Sequence, residues 1–414
     1  MPQKHGTVAV GAWIFLFAGC LAAAPAPDPS AVCSQVPAIL SELAEITGMK
    51  LHHPVPCAFI TKADVNKFLK DRIKEAAKPD EIRAEELTLK KFGFVPADFD
   101  LAKNTVDLLT EQAAAFYDYN KKKLFLTEST STESQEPVLA HELGHALADQ
   151  NYNLAKFIRQ GRKNDDGSTA RLAVMEGQAT WLMSEFLARR NGQSLKNSPG
   201  LVDAMSKLSD SGGSQYPVFD NEPLYLRDTL VFPYTKGMLF QNAVFQRDGK
   251  PSFGEVFEHP PLSTQQIMQP ETYFKGIKPT DPKLPDPKLP HGYKGLVGGT
   301  LGELEHQILL RQYLDAASAD EMAPHWRGCN FELVENKKAG RVTLLYAVEW
   351  DDEDTARRYF EAYRQVMKKK WKQMTVSSES VDQLNGSGDD GRFELRRTGA
   401  IVTSVEGLAP DVPR

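Results

Sequence analysis

VLAHELGHALADQ, Val138 to Gln150, is the stretch whose reading decides the fold. His141 and His145 lie four residues apart, so on a helix they stack on one face, one turn above the other. Two imidazoles placed this way can grip one Zn²⁺. Glu142 sits beside them, near enough to reach a water on the metal without being a ligand. Zinc lowers the pKa of such a water to about 7, and a glutamate can take the proton as general base. The flanks of the motif (Val138, Leu139, Ala140, Leu143, Ala146, Leu147) are uncharged and apolar, as a helix buried against a core requires. Gly144 costs roughly 1 kcal/mol of helix propensity, so a small residue is wanted there for close packing.

A hydrolytic zinc site takes three protein ligands and leaves one position open. No third histidine follows within the same helix, since the next one after His145 is His259. Thirty-one residues beyond His145, the run AVMEGQATWLMSEFLARR carries Glu176 beside the apolar positions Leu172, Met175, Ala179, Leu182 and Met183. A carboxylate at an apolar helix face is costly unless paired or bound to metal, which makes Glu176 the candidate third ligand. Glu185 is the rival. It lies near Arg189 and reads as a solvent-facing ion pair.

HELGH followed by MEGQA resembles the gluzincin metallopeptidases, in which two histidines and a distal glutamate hold zinc. FPYTKGMLFQNAVFQRDG, Phe232 to Gly249, is similar to a segment of the gluzincin zinc aminopeptidases. In those, a tyrosine before x-K-G stabilises the oxyanion. The resemblance therefore implies that role for Tyr234, and a phenol can donate to a developing alkoxide; a core tyrosine with a satisfied hydroxyl is the alternative. The pattern VxxHELxHALxDQ, the EGxA helix and Pro260-Pro261-Leu262-Ser263-Thr264-Gln265-Gln266-Ile267 with Pro270-Glu271-Thr272-Tyr273 also resemble a group of bacterial secreted peptidase-MA-like proteins. The likeness spans roughly Ala113 to Tyr273.

Two departures matter. No GxMEN strand, which captures a free amine in the aminopeptidase relatives, precedes His141, so endopeptidase action is favoured over aminopeptidase action. Thr180 stands where many gluzincins place an aspartate, so the ligands must be oriented from elsewhere. Asp149 is a candidate for that; a solvent-facing helix residue is its other reading.

Residues 1–24 read as a secretory signal, with Lys4 and His5 ahead of an apolar run from Val8 to Leu21. Phe17-Ala18-Gly19-Cys20 resembles a bacterial lipobox, which would lipidate Cys20 and attach the protein to a membrane. Cleavage near Ala22 to Ala26 is the alternative. Export, to the periplasm or the cell surface, suits the remaining cysteines. Cys33 and Cys57 flank a predicted helix, Val36 to Thr47, and a bond between them would contribute on the order of 3 kcal/mol. Cys329 would then be a buried free thiol. Spacing alone leaves the pairing open.

AAAFYDYNKKKLFLT, Ala113 to Thr127, predicts a hairpin around Asn120-Lys121. By the gluzincin resemblance its edge would pair with an extended substrate. DPKLPDPKLP, within residues 278–294, predicts an extended polyproline linker without a core of its own. Beyond it, Leu301 to Leu314 and Asp354 to Gln373 predict helices, while VTLLYAVEWD, FELRRTG and AIVTSVEG predict strands. Lys368 to Lys370 read as a solvated helix face.

The expected architecture is thus α+β and mostly helical. A gluzincin-like peptidase domain (25–277) is followed by the linker (278–294) and a smaller α+β domain (295–414). With 414 residues, 41 % of them hydrophobic, there is ample material for two packed units. A net charge of −6 offers nothing to nucleic acid. The expected activity is hydrolysis of a peptide or protein substrate with one zinc ion. His141, His145 and Glu176 would be ligands, Glu142 the base and Tyr234 the oxyanion donor. A catalytically silent surface lipoprotein or peptide-binding protein on the same fold is the alternative. A third reading has the cleft occluded by the C-terminal unit. Oligomeric state is open.

Overall fold

In a computed structural model of the chain, which describes residues 29–76, 78–128, 132–162, 164–208 and 216–409, the histidine motif lies on a helix, Thr132–Tyr152. Val138, Leu139, Ala140, Leu143, Ala146 and Leu147 are all fully buried, as uncharged flanks allow. On one side the helix packs on a three-stranded sheet, on the other against the helices Val36–Thr47 and Asp165–Arg190. The 1–24 leader and the Cys20 lipobox fall outside the described residues.

The predicted hairpin is present, as antiparallel strands β2 (Ala115–Asp118) and β3 (Lys123–Thr127). A strand not expected from the sequence, β1 (Cys57–Ile60), runs parallel to β3 and makes the sheet order β1-β3-β2. Four residues between helices carry too little periodicity to announce a strand; pairing with β3 makes it one. Cys57, at the head of β1, is disulfide-bonded to Cys33, and Cys329 is free and buried.

Two long helices cross behind the histidine helix: the glutamate helix, Asp165–Arg190, and the tyrosine helix, Leu224–Asp248. Their backbones meet at two glycines. A Cβ on Gly177 would stand 2.1 Å from the carbonyl carbon of Gly237, and one on Gly237 2.2 Å from the carbonyl oxygen of Ala173. No other residue type permits this approach.

The C-terminal portion is an antiparallel sheet of seven strands: β4 (Lys294–Gly299), β5 (Trp326–Asn336), β6 (Arg341–Trp350), β7 (Thr375–Ser380), β8 (Gln383–Gly388), β9 (Gly391–Thr398) and β10 (Ile401–Leu408). Their spatial order is β4-β5-β6-β10-β9-β8-β7. The helices Glu303–Tyr313 and Glu353–Lys370 pack with it. The architecture is therefore mostly helical with a sheet-rich C-terminal portion, α+β as expected.

Two expectations need correction, and the two portions share a core. The proline-rich run is not a coreless tether: Leu284, Leu289 and Tyr293 pack on Val334, Leu345, Val405 and Leu408 of the sheet. Thr280 N–H donates to Arg327 O at 2.8 Å, so the run is strapped across the sheet. Lys370 is not solvated. Its side chain is 3 % exposed, pairs with buried Glu406 at 2.6 Å and donates to Lys91 O. Finally, one hydrophobic core runs through both portions, joining Ala173, Val174 and Met175 of the glutamate helix to Leu304, Ile308, Tyr346 and Trp350.

The junction also holds three buried carboxylates where two helix N-termini meet. Asp166 accepts from Thr264 N–H, Glu305 from Gly302 N–H and Glu303 from Gln269 Nε2. The Ser263-Thr264-Gln265-Gln266 signature thus ties the glutamate helix to the sheet, Gln265 Nε2 donating to Trp326 O. Burial, helped by Asp166, pushes Glu303 up to about 8 from an ordinary 4.5. The folded state then holds this proton more tightly than the unfolded chain, so Glu303 lowers stability progressively as pH rises from about 4.5 to about 8. Glu303→Gln, which can still accept from Gln269, is expected to stabilise by on the order of 2 kcal/mol at pH 8 and to be neutral near pH 4. Denaturant midpoints at the two pH values check this.

Candidate metal centre

The glutamate helix starts at Asn164, whose side chain caps Gly167 N–H at 2.9 Å. Three turns in, it delivers Glu176 to the two histidines. The spacing of the helices is set by small residues: a Cβ on Gly144 would stand 3.4 Å from Ala179 Cα, the close packing expected of that glycine.

His141 Nε2 lies 3.1 Å from Glu176 Oε2, His145 Nε2 3.4 Å from the same oxygen, and the two Nε2 atoms are 3.1 Å apart. Three donors around a tetrahedral zinc at 2.0–2.1 Å would be about 3.3 Å from one another. The trio fits the ion without rearrangement, and its chemistry of two imidazoles and a carboxylate suits zinc. All three residues are at most 1 % exposed. Burial works against the Glu176 carboxylate, but the two imidazoles outweigh it and hold its pKa at about 2.

Glu142, fully buried, points Oε2 at the edge strand, accepting from Tyr117 N–H at 2.7 Å. Its Oε1 has no hydrogen-bond partner among the described residues, nor has Glu176 Oε1. Burial pushes the Glu142 carboxyl up to about 8; Glu176 adds to this, while His141 and the Tyr117 N–H pull the other way. Tyr234 lies over His141, ring centroids 5.9 Å apart and planes at 25°. The structure therefore brings together all five residues singled out in the sequence.

Two supporting assignments come out differently. Asp149 neither faces solvent nor orients an imidazole: it is buried and accepts from Tyr117 O–H at 2.9 Å, Lys122 Nζ at 2.5 Å and Leu154 N–H at 3.0 Å. Glu185 keeps its Arg189 partner at 3.0 Å but is buried, because Leu195 N–H and Ser194 O–H also donate to it. It fixes the turn after the helix. Thr180 is buried one turn past Glu176, its hydroxyl without a hydrogen-bond partner among the described residues. The contribution of Tyr117 was not read from the sequence; a backbone N–H leaves no mark there beyond the hairpin itself.

Similarity to a known family runs through this same region. Residues 98–190 match the IrrE N-terminal-like domain, a peptidase family, M78. The match takes in β2, β3, the histidine helix and the glutamate helix, hence every member of the metal trio and Glu142, and stops short of Tyr234. It points to a zinc metallopeptidase-like fold, and peptidases of that family are typically zinc-dependent. Residues 293–413 match a domain of unknown function. No curated protein and no solved structure gives a significant match.

Proposed function

We propose that the protein is a zinc-dependent peptidase of gluzincin type, acting on peptide bonds within a chain rather than at a free N-terminus. What carries this reading is the metal-sized spacing of His141, His145 and Glu176 beside an orphaned carboxylate oxygen of Glu142. The absence of a GxMEN strand before His141 supports the endopeptidase choice.

A zinc ion held by the trio would polarise a water and bring its pKa towards neutrality. The charge of a bound zinc would favour the ionised form of Glu142, whose carboxyl otherwise keeps its proton up to about pH 8; anchored by Tyr117 N–H with Oε1 left free to act, Glu142 takes the proton as the water attacks the peptide carbonyl. The same carboxyl then returns it to the leaving amine. Tyr234 donates its O–H to the carbonyl oxygen as negative charge develops there. Burial of the whole group strengthens each of these electrostatic contacts.

We infer export from the leader in residues 1–24, with Cys20 as a lipid attachment. The Cys33–Cys57 disulfide supports an oxidising compartment. Metal removal tests the activity: the purified full chain is expected to carry about one zinc and to cleave a mixed peptide library. Chelation should abolish cleavage and zinc should restore it. A zinc-loaded protein that cuts nothing would favour the silent peptide-binding alternative.

A further inference from the structure

Groups that nothing outside the fold can touch cannot cut a peptide. His141, His145 and Glu176 are each at most 1 % exposed, and Glu142 is wholly buried. Beside them lies a cavity of about 110 Å³, with Glu176 and Tyr234 in one wall and the helix Leu101–Gln112 in another. We propose that this helix is a lid, which has to lift off the metal centre before a substrate enters, so that the folded chain rests in a latent state. The inference rests on the zinc-peptidase reading above and adds its regulation. The cover is then an N-terminal helix, and not the C-terminal unit.

Four helices border the cavity, and three of them are fixed. The glutamate and tyrosine helices touch backbone to backbone at Gly177 and Gly237, so they move only together. Pro79–Phe92 is bound to the large sheet: Arg83 pairs with Glu335 at 2.6 Å, and Phe92 meets Phe331 and Tyr346 edge to face. The fourth, Leu101–Gln112, turns Leu101, Leu108 and Leu109 towards the void. Atoms facing empty space forgo their dispersion contacts, so this helix is the one held least by packing.

Polar latches hold it instead. Both carboxylate oxygens of Glu111 accept backbone N–H groups, from Val218 at 2.8 Å and from Phe219 at 2.9 Å. Asn104 Nδ2 donates to Glu222 at 3.1 Å. All these partners belong to the short helix Pro217–Asn221 or to its C-cap. Such bonds exchange for bonds to water at small net cost, whereas an apolar seam does not. The exposed run Pro96-Ala97-Asp98 ahead of the helix supplies a pivot. Elements that gate buried sites come from the weakly held parts of a fold.

The latch can be cut and it can be locked. Zinc-loaded full chain would be mixed with a strong chelator and the loss of zinc followed with a metal indicator. Glu111→Ala, which releases both N–H groups, should lose zinc at least about tenfold faster than wild type. For the lock, Asp107→Cys and Asn221→Cys are joined by a bismaleimide. Both positions are exposed, one within a turn of Asn104 and the other next to Glu222. Among the described residues no other thiol competes, since Cys33 and Cys57 are bonded and Cys329 is buried. Relative to the same protein unbridged, the bridged one should lose zinc and cleave peptides at least about tenfold more slowly. If bridging changes neither rate, the helix is no lid. The same follows if a folded Glu111→Ala protein releases zinc as the wild type does. Should Glu111→Ala not fold, the bridged protein decides, because its two substitutions lie on the surface. If zinc loss responds as expected but no protein cuts any peptide, the peptidase reading fails and the lid stands. A chain that takes up no zinc overturns both.

Discussion

Glu142→Gln is expected to bind zinc as the wild type does and to hydrolyse peptides about 10³-fold more slowly. The amide has the shape of the carboxylate, and its oxygen can still accept from Tyr117 N–H, so the strand, the helix and the metal trio stay in place. What it lacks is a basic lone pair at the oxygen that is otherwise unpartnered. Metal analysis beside kcat/KM on a cleavable peptide separates the outcomes. Unchanged activity would remove Glu142 from the proton transfers, and lost zinc would make it a ligand instead.

Gly177→Ala should cost about 3 kcal/mol of stability and most of the zinc affinity together. The added carbon would stand 2.1 Å from the carbonyl carbon of Gly237 and 2.3 Å from its oxygen. Main chain cannot swing aside as a side chain can, so the glutamate helix must back away from the tyrosine helix. Glu176 and Tyr234, one residue before Gly177 and three before Gly237, ride on the surfaces that part. Gly200→Ala is the control: nothing lies within 4 Å of its Cβ position, and alanine is the better helix former by about 1 kcal/mol. Denaturant melts and zinc titrations on both proteins decide the matter. Equal stability of Gly177→Ala and wild type would mean that the crossing is looser than described.

How much of this was legible in the residues follows from the range of the interactions involved. The histidine pair, Glu142, the hairpin and the amphipathic helices depend on neighbours within a turn or two, and local spacing reveals them. Glu176 could be found because an isolated carboxylate among apolar residues needs a reason. The misread features all depend on distant partners. Glu185 is buried by the turn at Ser194-Leu195, Lys370 by Glu406, and β1 exists because β3 runs beside it. Among the described strands, β7 lies exposed along its whole length, so no buried face imprints alternation on it. The proline-rich run has the composition of a spacer; only the facing sheet shows where its leucines rest.

The order of strands in the large sheet bears on how such a chain comes into being. β10, the final strand in the sequence, is not at the rim but inserted between β6 and β9. Until it arrives, those two strands have no partner on that side, and the apolar residues joining the sheet to the glutamate helix have no finished surface to rest on. A chain synthesised from its N-terminus therefore closes this sheet only once β10 has emerged.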